Sequence, residues 1–600
     1  MIPLPSGFPR RLIAAALTMP SLWHVALGAP PSAPTVVALD PGVTAGVGAP
    51  LEFTEYEAEN AATNGRIVGP DRTFTTLAAE ASGRRAVLLE GPADFVEFTL
   101  AAPANALTVR YAVPDGPGGP AVPAVPAGPA GGDGKPLDAR LDVYALGRKV
   151  ADLALTSRYC CYYGPYPFTK HPADGKGHHF FDHARILLDG ALPAGTVVRL
   201  IRGPRTHAAW IAIDLVDFEM APAPLRRPSR SLSVVDFGAD PNGGRDAREA
   251  FSKAIMAASI SGRPLWVPPG HFRLDGHVQV DRVEIAGAGP WYSVLQGDGV
   301  GLYGRDAPNP SQAVDIHDLA IIGQVNERDD HKPLAGIGGA LGGGSRIRNI
   351  FIQHVNVGVW LDGPFDGLVI KRLRVLDTMA DGLNLHRGIS HVTVEESFFR
   401  NNGDDGIASW SEKLANHDIL IRHNTVVAPI LANGVAIYGG HDIAVSDNLI
   451  ADTLTEGGGL HLGNRFDAVP LSGKISLKGN MVVRGGSIDP RWHFGIGAVW
   501  LFAMDAPIKA QIDLQSTTLV DSSQEAVLLF GRRIDGLIVN GLHVDRAGGS
   551  LMTLRADGSA TFSGVDAAGV QDPAVLTCGA FLLEWQGSNT GFNRSSAHGC

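Results

Sequence analysis

What most constrains this chain is a short pattern that recurs through its second half. The element is apolar-x-apolar-x-x-(Asn, Ser or apolar). It occurs at Ile350/Ile352/Val355, Leu368/Ile370/Leu373, Val392/Val394/Ser397, Ile419/Ile421/Asn424 and Ile443/Val445/Asn448. It continues at Ile475/Leu477/Asn480, Ile512/Leu514/Thr517 and Leu537/Val539/Leu542. Several copies are followed by a second element: "VGVWL", "DGLNL", "DGIAS", "NGVAI" and "GGLHL". Copies lie about 24 residues apart, with longer intervals where loops intrude. A unit this short cannot bury its own apolar face, whereas a stack of such units can. The pattern therefore predicts a parallel β-solenoid, with alternate residues inside and asparagines laddered at the bends.

Stacking fixes which side chains become neighbours. Aligning the second elements puts Asp381 of "DGLNLH" and Asp405 of "DGIASW" in one slot of successive coils, about 4.8 Å apart along the stack. Asp404 sits one residue earlier, at the bend. Trp360, Asn384, Ala408, Ala436 and His461 then share one outward column, and Asp362, His386, Trp410 and Tyr438 the next. Asp and Gly also make ordinary turns, but a turn does not require like charges on adjacent rungs, where they repel. Exposed aromatic rings beside acids suit sugars, whose faces stack on them. Paired carboxyl groups can protonate a glycosidic oxygen and activate water. Asp381, Asp404 and Asp405 are thus the candidate catalytic trio, with Asp404 as acid and the other two holding the water.

The rest of the chain sets the context. Six hundred residues imply at least two domains. The 74 glycines and 41 prolines alongside 45% hydrophobic residues indicate turn-rich β structure rather than disorder. A net charge of -11 argues against nucleic acid or anionic membrane as partner. The start, "GFPRRLIAAALTMPSLWHVALGAPPSA", pairs Arg10–Arg11 with a short apolar run and predicts an export signal over 1–33, hence secretion. No later run is long and apolar enough to span a bilayer. A Pro/Ala/Gly-rich lead follows over 34–49. Of four cysteines, Cys578 and Cys600 could close a C-terminal loop, while adjacent Cys160 and Cys161 would bridge only with strain. None has zinc-site spacing.

Residues 50–222 carry short alternating runs, "ADFVEFTL", "NALTVRYAV", "ARLDVYALG" and "TVVRLIRG", separated by Gly/Pro turns. This is the spacing of a β-sandwich. A Pro/Gly tract at 115–136 interrupts it as a solvent loop. Linker composition at 223–231 separates it from the solenoid at 232–600, which opens with an amphipathic helix burying Phe251, Ile255 and Ala258.

These motifs resemble a known family. "VVDFGADPNGGRDAREAFSKAI" is similar to the start of right-handed β-helix polysaccharide enzymes of the pectate-lyase superfamily. "DGLNLHRGISHVTVEESFFRNNGDDGIASWSE", with "EGGGLHLGNRFDAVPLSG" and "FGIGAVWLFAMD", resembles glycoside hydrolase family 87, the endo-acting α-1,3-glucanases and mycodextranases. The resemblance covers roughly residues 231–545. It implies inverting hydrolysis of α-1,3-glucosidic bonds in α-glucan, such as fungal cell-wall or biofilm glucan, by Asp381, Asp404 and Asp405, with no cofactor. His461, Asn464 and Arg465 match a segment that lines the cleft or braces a loop. Residues 50–222 resemble a family-6-type carbohydrate-binding jelly roll, through "YEAEN" and "IDLVDFE". That likeness implies a structural calcium on Glu57, Glu59 and Asp217, and glycan contact by Trp210 and "YCCYYGPYPF" (159–168). A monomer is expected. The rivals are a uronate-acting hydrolase using Lys371, Arg372 and Arg387, and a non-catalytic glycan-binding solenoid.

Overall fold

The computed structural model describes residues 44–73, 76–116, 136–164, 169–174, 177–178, 181–489 and 494–599. The export signal, most of the Pro/Gly tract, 165–168 and Cys600 lie outside them.

The N-terminal domain is an antiparallel sandwich. One sheet orders Asp182–Leu192, Ala104–Ala112, Ile211–Glu219, Ala86–Leu89 and Arg66–Val68, with Phe53–Glu57 also pairing Ile211–Glu219. The other orders Ala62–Thr63, Phe95–Thr99, Val197–Ile201, Asp138–Ala145 and Arg148–Thr156. Between them lies an apolar core that includes Phe98, Leu107, Val143, Leu200 and Phe218.

From Leu232 the chain forms the expected β-helix. Helix Arg248–Ser261 caps its first coils through Phe251, Ala254, Ile255 and Ala258. A typical coil has three short strands, such as Phe365–Lys371, Arg374–Leu376 and Leu383–His386. They join a 21-stranded and a 13-stranded parallel sheet that share one continuous apolar interior. The predicted registers hold: Leu368, Val392, Ile419, Ile443, Ile475, Ile512 and Leu537 stack in order. One register differs. Ile350 and Ile352 fall in the second strand of their coil, because Ile347, not Ile352, pairs with Ile370. Strand Ser345–Gln353 runs through the bend, so sequence gives no break there.

That bend is built the same way in each coil. Asn349, Arg372, Glu396, His423 and Asp447 take φ of 53°, 56°, 51°, 50° and 54°, one left-handed residue per turn. A left-handed non-glycine residue costs about 1 kcal/mol or more. The asparagine ladder beside it offsets this, with Asn424 Nδ2 donating to Asn448 Oδ1 and Asn448 Nδ2 to Asn480 Oδ1, both at 3.0 Å.

The sandwich is welded to the solenoid by buried polar contacts. Asp217 accepts from Arg374 at 2.7 Å and Arg400 at 3.0 Å. Arg110 donates to Asn401 at 2.8 Å, and His183 Nδ1 lies 2.8 Å from Asp377. Three of the aromatic residues expected to meet glycan are packed within the protein instead, while Tyr166 and Phe168 lie outside the described residues. Trp210 is buried in the sandwich, Tyr159 stacks on His354, and Tyr162 packs with Ile430 and Leu431. Cys160 and Cys161 are bonded to each other, with a φ of 64° at Cys161. Cys578 is not free. Among the described residues no helix is long and apolar enough to cross a membrane.

Candidate active site

The site grows out of a column of glycines. A Cβ on Gly358 would lie 2.4 Å from Gly382 O, one on Gly382 2.5 Å from Gly406 O, and one on Gly406 2.8 Å from Gly434 O. Coils stack too closely there for any side chain, which explains the "DG" and "NG" pairs. The residue before each glycine turns its side chain along the stack. Asp405 N–H donates to Asp381 Oδ1 at 3.1 Å, Asn433 N–H to Asp405 Oδ1 at 2.9 Å, and Gly458 N–H to Asn433 Oδ1 at 2.9 Å. Side-chain donors complete the set. Asn384 Nδ2 reaches Asp381 Oδ2 at 2.8 Å, and Tyr438 Oη reaches Asp405 Oδ2 at 2.9 Å.

Asp404 stands outside this ladder, and its Oδ2 takes Arg328 Nη1 at 2.7 Å. Oxygens from Asp381, Asp404 and Asp405 all lie within 4.8 Å of one another. All three residues are buried. Burial, then Asp404 and Asp405, push the Asp381 carboxyl well above its usual range. Burial, then Asp404, raise Asp405 to about 7. Shifts of this kind on clustered buried carboxyl groups mark a candidate functional site.

The two predicted columns form in register, Trp360–Asn384–Ala408–Ala436–His461 and Asp362–His386–Trp410–Tyr438. His386 stacks on Trp410 at 4.5 Å and meets Trp360 edge-on at 5.4 Å. Its ring nitrogens lie 3.0 Å from Asp362 and 3.2 Å from Glu412. His461 stacks on Trp500 at 4.0 Å, and its buried Nε2 has no hydrogen-bond partner among the described residues. Burial, then Arg465, keep that imidazole neutral. The Arg465 guanidinium lies over Phe466 at 4.0 Å with its Nε unpaired.

Other candidates fall elsewhere. Asn464 is spent on backbone, donating to Pro507 O at 2.9 Å and accepting from Leu471 N–H at 2.8 Å, so it braces a loop. The calcium set does not assemble. Asp217 is neutralised by two arginines, Glu57 takes Ser82 Oγ at 2.7 Å, and neither joins Glu59 in a metal-sized cluster. The three cations expected to serve a uronate are each paired, Lys371 with Glu395 and Glu396, Arg372 with Glu52, and Arg387 with Asp362.

Three participants escaped the sequence reading. Asn433 occupies the slot of Asp381 and Asp405, so the repeat already carried its signal. Trp500, whose Nε1 donates to Asn433 at 2.7 Å, aligns with His461, but a long insertion hides the spacing. Arg328 lies in a loop outside the repeat.

Clustered buried carboxyl groups beside aromatic rings do acid–base work on sugar polymers. That places the molecule among the β-helix glycoside hydrolases. Two family models match it: alpha-1,3-glucanase catalytic domain D1 over residues 50–221, and domain D2 over 249–465. Among solved structures, the catalytic unit of a thermostable GH87 alpha-1,3-glucanase from Streptomyces thermodiastaticus strain HF3-3 is 38% identical. The match covers 92% of this chain and 98% of that one, with a TM-score of 0.82. The fold is shared with the Agl-KA catalytic domain, at 24% identity, 90% and 99% coverage and a TM-score of 0.81. A GH87 alpha-1,3-glucanase catalytic domain in complex with nigerose matches at 21% identity, 91% and 99% coverage and a TM-score of 0.73. No curated protein matches the sequence. The chain belongs to the GH87 alpha-1,3-glucanase family.

Proposed function

We propose that this protein is a secreted, monomeric, endo-acting hydrolase of α-1,3-glucosidic bonds in α-glucan, inverting the anomeric centre without a cofactor. The observation that carries the reading is the trio on adjacent coils beside the half-buried rings of Trp360 and Trp410. Asp381 and Asp405, aimed along the stack by backbone N–H groups, hold the attacking water between them. A water bonded to two acceptors at ~2.8 Å separates them by about 4.6 Å, which suits oxygens within 4.8 Å. Asp404 then protonates the departing oxygen. Most inverting pairs stand ~6.5–9.5 Å apart, so product stereochemistry is the decisive measurement. The half-buried Trp360 and Trp410 offer ring surface, while the half-buried Arg465 guanidinium supplies polar atoms for glucosyl hydroxyls.

The test is hydrolysis of α-1,3-glucan, nigeran and polygalacturonate, with NMR of the first anomer formed. Release of β-anomer from the glucans alone is expected. Release from polygalacturonate overturns the substrate assignment, and α-anomer overturns inversion. Asp381→Asn, Asp404→Asn and Asp405→Asn should each lose at least ~100-fold in kcat, since acid–base groups contribute about that much or more. A variant with near-normal turnover removes that residue from the trio.

A further inference from the structure

We infer that Arg328 is a positioning residue for the reaction, holding the Asp404 carboxyl so that one oxygen faces the scissile bond; this rests on the proposed role of Asp404. The trio is not held uniformly. Asp381 and Asp405 are fixed by the coil-to-coil ladder, each receiving the next coil's backbone N–H. Asp404 has no place in that ladder, because it precedes Asp405 at the bend. Its orientation comes from a strap outside the repeat. Arg328 Nη1 donates to Asp404 Oδ2 at 2.7 Å, leaving Oδ1 to carry the proton that the glycosidic oxygen receives.

The guanidinium is itself aimed. Its Nε donates to Asp330 at 2.9 and 3.1 Å, and Nη2 lies 2.8 Å from the same carboxylate. A planar fork gripped on one edge by a carboxylate points its remaining N–H in a set direction. Asp330 is pinned by Asn356 Nδ2 at 3.0 Å, and Asn356 Oδ1 takes Asp329 N–H at 3.2 Å. The sandwich holds the other end of the strap. Tyr162 Oη reaches Asn326 O at 3.2 Å, and Arg158 reaches Gln324 O at 3.3 Å. Tyr162 follows the bonded Cys160–Cys161 pair directly. The N-terminal domain thus contributes to catalysis through a chain of contacts ending on one acid oxygen. Asp381, Asp405, Tyr438 and Arg465 also face Asp404, and among the described residues the side chain that contacts its carboxyl directly is Arg328.

Kinetics on soluble α-1,3-oligosaccharide test this, with melting curves to confirm folding. A small misplacement of a catalytic group costs up to ~100-fold. Arg328→Met should therefore lower kcat about 10- to 100-fold while KM stays within about 3-fold, and added guanidinium should restore part of the loss. Asp330→Asn, which unclamps the fork but keeps its charge, should lower kcat in the same way and serves if Arg328→Met fails to fold. A kcat within about 2-fold of wild type in a folded variant overturns the inference, as does a loss confined to KM. An inactive wild type would instead overturn the hydrolase reading, so the two failures are separable.

Discussion

Replacing Asp405 with asparagine should abolish turnover and stabilise the fold, and the stabilisation should depend on pH. The carboxyl is buried and titrates near 7 rather than 3.8, because burial and then Asp404 oppose its charge. At about 1.4 kcal/mol per pH unit, the native state bears roughly 4 kcal/mol to keep it ionised. The sign follows from linkage. An acid whose folded-state pKa is raised leaves the native state unpenalised below pH ~4, and stability is lost as pH rises toward 7. Asparagine removes the charge without emptying the site. Its Oδ1 can accept from Asn433 N–H and Nδ2, and the Tyr438 hydroxyl can rotate to accept from its amide. Denaturant melts of wild type and Asp405→Asn at pH 4, 6 and 8 provide the assay. The variant should gain roughly 2–4 kcal/mol at pH 8, less at pH 6 and nothing at pH 4. A pH-independent difference, or a wild type more stable at pH 8, would refute the claim that this carboxyl is held against its own ionisation.

Three further outcomes are expected. Asp217→Ala removes the carboxylate shared by Arg374 and Arg400 at the domain junction, leaving them Glu219 and Glu55, and should cost about 1–3 kcal/mol in denaturant unfolding. Gly406→Ala puts a Cβ 2.3 Å from Val426 Cγ1 and 2.8 Å from Gly434 O; an overpacking cost of ~1–3 kcal/mol should appear in melts, with activity lost through Asp405. Arg465→Met should raise KM for a short α-1,3-oligosaccharide about ten-fold with kcat little changed, matching the ~1.4 kcal/mol of one hydrogen bond from a charged donor.

How much was legible follows from where each group sits relative to the repeat. Residues on the repeat could be placed from spacing alone. One parallel rung per coil puts residues of like position side by side, so Asp381 and Asp405, and the columns through His386 and His461, followed from counting. The same counting could have given Asn433. Residues in insertions could not be placed this way. Asn464 and Trp500 lie beside or beyond a long excursion, where chain length carries no register. The acids at Glu57, Glu59 and Asp217 looked alike in sequence, yet Asp217 meets arginines from coils more than 150 residues away.

By itself, then, the sequence determined the solenoid, its register and the trio, because each rests on local periodicity that any stacked coil must obey. Only the tertiary structure decided what the sandwich does, namely bury its polar sheet against the coils and hold Arg328 on Asp404 through the strap. Those contacts join segments with no shared period, and only folding makes them neighbours.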